Sequence, residues 1–303
     1  VLHALAEAGV EEAIVNLHHL PQQLKEALTP WIPEALKVTW SFEATLLGTG
    51  GALTPWLIEL GQHSDQPFFL INADTYRELD LTAMLRQHRE ANATATLALS
   101  ALDPGTAGPI AVDADGRITR FLTGVAPGEA SPVQSCDFAG VHLLGAEVLR
   151  GVGGINEEVF CINTAVHSAL VAQGKNYRGY FIAPDAFWSD LGTPERYLTA
   201  HFELMERGNI PPLARGRLVT EEQTSAGGAT ILPPSYIEEG ASVEVGALVG
   251  PLAVLGRGAR VAAGARFARS VAWAGAVAGE NSDISNSILT DRGELLAPET
   301  DKR

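Results

Sequence analysis

Pro67-Phe-Phe-Leu-Ile-Asn-Ala-Asp74 is a short apolar run that stops at an acid. The successive large side chains from Phe68 to Ile71 suit a parallel strand covered on both faces, where no alternation with polar residues is needed. Asp74 then falls just past the carboxyl end of that strand. In open α/β sheets ligands and metals gather there, because loops leaving the strand tips converge on a rigid base. Asp74 is therefore a candidate Mg2+ ligand; the plainer alternative is that it caps a turn before Tyr76-Arg-Glu-Leu79. A second acid far along the chain, Asp190 in Trp188-Ser-Asp-Leu-Gly-Thr-Pro-Glu195, favours the metal reading. Two carboxylates on neighbouring strand tips suit a divalent ion that carries phosphates.

With 303 residues the chain has room for two cores, and an apolar share of 46% is that of an ordinary globular protein. A formal charge of -15 argues against nucleic-acid or anionic-membrane binding, which need basic surfaces. No apolar run approaches the length of a membrane span. Cys136 and Cys161 are too few for a disulfide framework or a zinc site, read as small buried hydrophobes, and fit a reducing cytoplasm. Val1-Leu-His-Ala-Leu5 reads as the middle of an amphipathic helix without a cap, so a segment upstream is expected.

Strands and helices alternate through the first two thirds. Glu12 to Leu17 and Leu36 to Phe42 read as strands, with a helix opened by Pro21 between them. His18 and His19 lie in a loop with no partner at a ligand spacing, which assigns them a structural role. Gly48, Gly50 and Gly51, just before a helix through Leu53, Leu57 and Leu60, allow a backbone to approach a base or phosphate closely; a plain tight turn is the alternative. A helix from Asp80 carries Leu81, Met84, Leu85 and His88 on one stripe. Ile110 to Ile118 reads as a hairpin turning at Ala114-Asp-Gly116, and Gln134 to Leu144 as a strand whose Gly140 marks a bulge or a close ligand approach. Thr193-Pro194 has the pattern of a helix amino-terminal cap. The whole predicts a three-layer Rossmann-like α/β domain over residues 1–207, with 208–228 as connector.

From Ile231 the period becomes six: Ile231, Ile237, Val243, Val249, Leu255, Val261 and Phe267, with Gly240, Gly246, Gly258 and Gly264 in step. A hexapeptide repeat of this kind predicts a left-handed parallel β-helix over 229–290. Val271, Val277, Ile284 and Ile288 are expected to complete further faces, and 291–303 to be a charged tail. Hexapeptide acyltransferases share this pattern but use a His near the coils, and all eight histidines lie at or before His201. The solenoid thus reads as structural, and its flat faces suggest a homo-oligomer.

With these pieces in place the chain resembles the sugar-1-phosphate nucleotidyltransferases, or nucleotide-sugar pyrophosphorylases, of the mannose-1-phosphate guanylyltransferase-like branch with a β-helix tail. The carriers are Leu47-Gly-Thr-Gly-Gly-Ala52, Asn72-Ala-Asp74, Phe138-Ala-Gly-Val141 and Trp188-Ser-Asp-Leu-Gly-Thr-Pro-Glu-Arg-Tyr197, in the family's order. The resemblance implies that an oxygen of a sugar 1-phosphate attacks the α-phosphorus of a nucleoside triphosphate and expels pyrophosphate. It implies Mg2+ on Asp74 and Asp190, nucleotide held by Leu47, Gly48, Thr49, Gly50 and Gly51, and sugar near Gly140 and Thr193. Two departures stand out. The family's first strand and glycine-rich, triphosphate-wrapping loop would precede residue 1, and Arg120-Phe-Leu-Thr-Gly124 replaces a common Glu-Lys-Pro. A non-catalytic nucleotide-sugar-binding or regulatory subunit and a hexapeptide acyltransferase are the alternative readings.

Overall fold

The structure, a computed structural model, describes residues 1–62, 66–128, 133–210 and 214–296. Contacts divide the chain into two compact units, Val1–Trp188 and Ser189–Arg303.

In the first unit β1 (Glu12–Leu17) and β2 (Lys37–Phe42) pair in parallel as a separate two-stranded sheet. The chain then forms β3 (Phe68–Ile71), β4 (Thr75–Arg77), β5 (Ala95–Ala101), β6 (Ile110–Val112), β7 (Ile118–Phe121), β8 (Gly124–Val125), β9 (Gln134–Leu144) and β10 (Tyr177–Phe181). The main sheet runs β10-β5-β9-β6-β7-β8, with β3 also on β9. The expected hairpin is β6 to β7, its turn closed by Asp113, whose carboxylate accepts from the Asp115 and Arg117 N–H groups.

Apolar layers lie on both faces of this sheet. Leu97 and Leu99 of β5 pack with Leu53, Val148, Val152, Val166 and Leu170, while Ala98 packs with Leu5, Leu81 and Met84. Phe68 and Leu70 join the first layer, Phe69 and Ile71 the second, so β3 is flanked on both faces as its composition predicts. Its direction needs correcting. The expected parallel pairing is replaced by an antiparallel one, Phe68 opposite Leu144 and Ile71 opposite Val141; the helix Leu81–Glu90 leads on from this region to β5, which also pairs antiparallel with β9.

Short strands stack in the second unit on three faces, forming a β-helix. Ile231, Ile237, Val243, Val249, Leu255, Val261 and Phe267 all point into its core. After Phe267 the register slips by one residue: Leu255 pairs with Ala272 and Val261 with Ala278. The inner row continues as Ala272, Ala278, Ile284 and Leu289, a correction for Val271, Val277 and Ile288. Val271 and Ile288 instead extend the outward row Tyr236-Val254, which Leu198, Phe202 and Met205 of the helix Pro194–Glu206 cover. That helix, expected at the end of the first domain, thus belongs to the second unit. The connector contributes strands as well: Gly216–Val219 and Gln223–Thr224 pair antiparallel with the first coil. At the other end Gly293–Leu296 pairs antiparallel with Ser287–Thr290, where a tail is expected; residues 297–303 of that tail lie outside the described residues. Among the described residues no helix is long and apolar enough to cross a membrane.

Candidate functional site

Gly140 organises the site in the first unit. The amino-terminal part of β9 pairs with β6 and its carboxyl-terminal part with β3. Between them the register against β5 shifts, and Gly140 sits there with φ +79, a left-handed value that favours glycine. The bulge expected at Gly140 is present. Its carbonyl accepts from the Asn72 N–H at 2.8 Å, and a Cβ on Gly140 would lie 2.9 Å from the Thr75 hydroxyl oxygen. The close approach is therefore made by the loop Asn72 to Thr75, which carries Asp74.

Asp74 is exposed on that loop and, among the described residues, makes no hydrogen bond or ion pair. Arg77, three residues later at the end of β4, is partly buried. A single guanidinium nitrogen, Nη1, donates to Asn72 O at 3.3 Å, to Thr75 O at 3.2 Å and to the Thr75 hydroxyl. Burial lowers Arg77 to about 10, while the negative charge of Asp74 acts the other way. Composition offered no sign of this clamp; its signal was the three-residue spacing between Asp74 and Arg77.

Asp190 and Thr193 lie in the second unit. Asp190 accepts from the Gly192 N–H at 2.6 Å and from Arg196 Nη1 at 2.7 Å, one bond to each carboxylate oxygen. Thr193 caps the helix that begins at Pro194, accepting from the Arg196 N–H at 3.3 Å, as its sequence predicts.

The glycine cluster is packed tightly against the protein itself. Gly48 to Gly51 forms a helical turn, and Gly50 and Gly51 donate to Phe160 O at 3.0 and 3.3 Å. A Cβ on Gly50 would fall 2.2 Å from the Phe160 ring. Thr49 accepts from the Ile162 N–H at 3.2 Å, and its hydroxyl meets Cys161 Sγ at 3.6 Å. Leu47 O accepts from the Phe160 N–H. Gly48 and Leu46 keep an exposed edge.

Cysteines and histidines complete the inventory. Cys136 is buried as expected, whereas Cys161 is exposed, a correction that follows from its place between a loop and a helix start. Burial opposes ionisation of Cys161, but hydrogen bonds from Thr49 and from the Asn163 and Thr164 N–H groups outweigh it and lower its pKa. His18 holds Glu43 O at 2.9 Å, in keeping with its structural assignment. His88 is buried against Thr96, and burial with Arg89 nearby lowers it to about 4. A buried chain that the sequence did not reveal joins His142 Nδ1 to His167 Nε2 at 3.0 Å and His167 Nδ1 to the Tyr177 hydroxyl at 2.9 Å.

The family pattern of the nucleotidyl transferases, "Nucleotidyl transferase", matches residues 1–207. The chain belongs to that family. Mannose-1-phosphate guanylyltransferase 1 of Arabidopsis thaliana is 26% identical over 259 residues, covering 80% of this chain and 68% of the plant protein. The mannose-1-phosphate guanylyltransferase of Mycobacterium tuberculosis is 28% identical over 249 residues, covering 80% of this chain and 66% of that protein. The chain thus spans about two thirds of these relatives' length. Among solved structures, HddC from Yersinia pseudotuberculosis has a TM-score of 0.49 at 20% identity, covering 65% of this chain and 80% of that one. The family is related to the sugar-1-phosphate guanylyltransferases.

Proposed function

We propose that the protein transfers a nucleotidyl group from a nucleoside triphosphate to a sugar 1-phosphate, releasing a nucleotide sugar and pyrophosphate. Membership of the nucleotidyl transferase family supports the reaction class, and the observation that carries the reading is Asp74, exposed and unengaged on a loop anchored to the Gly140 bulge.

A hard oxygen donor free of protein partners fits Mg2+, which uses one or two carboxylates and completes its shell with water and phosphate. No group of three or more His, Cys, Asp or Glu is placed for a metal among the described residues, so phosphates must supply much of the shell. Bound there, the ion would neutralise phosphate charge and polarise the phosphoryl oxygens. Asp190 is the second ligand the resemblance implies; to serve, it shares lone pairs already directed at Gly192 and Arg196. The chain's own part is to hold Asp74 still, through the Asn72 and Thr75 contacts, so that the phosphates align for in-line attack. The resemblance implies sugar near Gly140, where the loop 72–75 fills the space at the glycine itself and a sugar would lie beside that loop, and implies a sugar contact for Thr193. Gly48 offers an exposed edge for the nucleotide, with Leu47 and Thr49 half-buried beside it and Gly50 and Gly51 as its packed base.

The test is pyrophosphate release by the full-length protein across nucleoside triphosphates and sugar 1-phosphates with Mg2+. Turnover lost in Asp74→Ala supports the reading. Full turnover in that variant removes Asp74 from the chemistry, and nucleotide binding without turnover in the wild type turns the reading to a binding subunit.

A further inference from the structure

Arg77 is unusual in its surroundings. The protein has 36 acidic residues against 21 basic ones, yet among the described residues this partly buried guanidinium forms no ion pair. Among the described residues its hydrogen bonds all leave from one nitrogen and end on Asn72 and Thr75. The rest of the group borders a cavity of about 110 Å3 lined by Ala4, Ile71, Tyr76, Leu79 and Leu81 among others. Taking a guanidinium out of water without an ion pair costs stability, and the negative charge of Asp74 offsets only part of that cost. Its hydrogen bonds supply the offsetting contacts.

The same contacts hold the loop around Asp74. Asn72 is held to Gly140 through its N–H and to Arg77 through its carbonyl, and Thr75 packs on Gly140 while accepting from Arg77. The residues flanking Asp74 are thus fixed from both sides, and Asp74 is left free of partners. The geometry points to Arg77 as a positioning residue for Asp74: it clamps the loop between Asn72 and Thr75 so that the carboxylate is presented to a phosphate-bound metal ion. This rests on the nucleotidyl transfer reading above. Lysine would keep the charge and a single donor nitrogen, but its shorter, more strongly hydrated ammonium suits a partly buried position less well.

The experiment uses the full-length protein, with Mn2+ and GTP as probe, read by calorimetry and by the electron paramagnetic resonance of bound Mn2+. Arg77→Met is expected to weaken Mn2+–GTP binding by about 10-fold, the order of effect that loss of a held geometry produces, and Arg77→Lys to recover part of it. The thermal midpoint of Arg77→Met is expected to stay close to that of the wild type. Asp74→Asn, measured alongside, separates the two readings. If Asp74→Asn loses binding while Arg77→Met binds as the wild type does, the Arg77 role fails alone. Unchanged binding in both variants, or no binding by the wild type, overturns the metal reading of Asp74 and this role with it. A fall in the Arg77→Met midpoint that accounts for the lost binding makes Arg77 a structural residue and overturns the proposal.

Discussion

The coil stack and the first unit bury their cores by different rules. In the stack a residue's neighbours recur at a fixed interval: Ile231, Val249 and Phe267 lie one above another, each three hexapeptides after the last. In the first unit the decisive contacts join distant segments, as when Thr49 meets Cys161 across 112 positions. A repeat spreads its stabilisation over many similar layers, whereas a fold of non-local contacts concentrates it at a few irregular junctions. The site lies at such junctions: the Asp74 loop on the Gly140 bulge, and the glycine turn on Phe160.

The largest test of this contrast is in the stack. Phe267 is fully buried and touches the layers on either side, so Phe267→Ala is expected to cost about 3–5 kcal/mol. Hydrogen exchange should then show the loss in the coils from Val249 to Ile284. A cost below about 1 kcal/mol would mean that the layers close over the gap, and that the stack is more plastic than its regularity suggests.

Gly50 is the matching test in the first unit. The added methyl of Gly50→Ala meets the Phe160 ring, and overpacking of this sort costs about 1–3 kcal/mol. Denaturant midpoints of the full-length variant measure it. If stability holds while nucleotide binding falls, the space at Gly50 serves a ligand and not Phe160, and the contrast between the two regions narrows.

These two positions also show what could be read beforehand. The hexapeptide period was legible because each coil repeats the same environment, and a helix cap such as Thr193-Pro194 was legible because its partners are adjacent. The slip after Phe267 was not, since Val271 and Ala272 are both apolar and either can face inward. Gly48 to Gly51 announced a close approach, but what approaches comes from Glu158 to Ile162, and no local pattern names a segment so far along the chain. Asp74 at a strand tip was visible for the same reason as the cap. The clamp by Arg77 is local, and its spacing from Asp74 was its one signal, whereas the pairing of His142 with His167 depends on tertiary folding and left no trace in spacing.

The buried rings give a smaller and more continuous effect, concentrated in the first unit, with His201 of the second unit lowered by burial in the same direction. An unfolded imidazole takes up a proton near pH 6.5, whereas burial holds His88 to about 4 and His167 to about 3, and keeps His142 well below its usual value. The unfolded state therefore binds more protons between those limits, and stability falls as pH drops from about 6.5 toward 4. Each such ring contributes at most about 1.4 kcal/mol per pH unit. Urea midpoints at pH 7, 6 and 5 measure the slope, and a flat profile would show that these rings are solvated in the native protein.

The smallest effect returns to the second unit, at the cap that joins local legibility to a proposed role. Thr193→Ala removes the oxygen that accepts from the Arg196 N–H and is expected to cost about 1 kcal/mol. Thr193→Ser keeps that oxygen and should restore most of the stability. Substrate binding distinguishes capping from sugar contact at the same residue. If the hydroxyl acts only as a cap, the KM for the sugar 1-phosphate stays at its wild-type value in Thr193→Ala once the protein is assayed well below its unfolding temperature. A raised KM with unchanged kcat, reversed in Thr193→Ser, gives the hydroxyl a second partner, and the most local feature of the chain would then share the non-local character of the site.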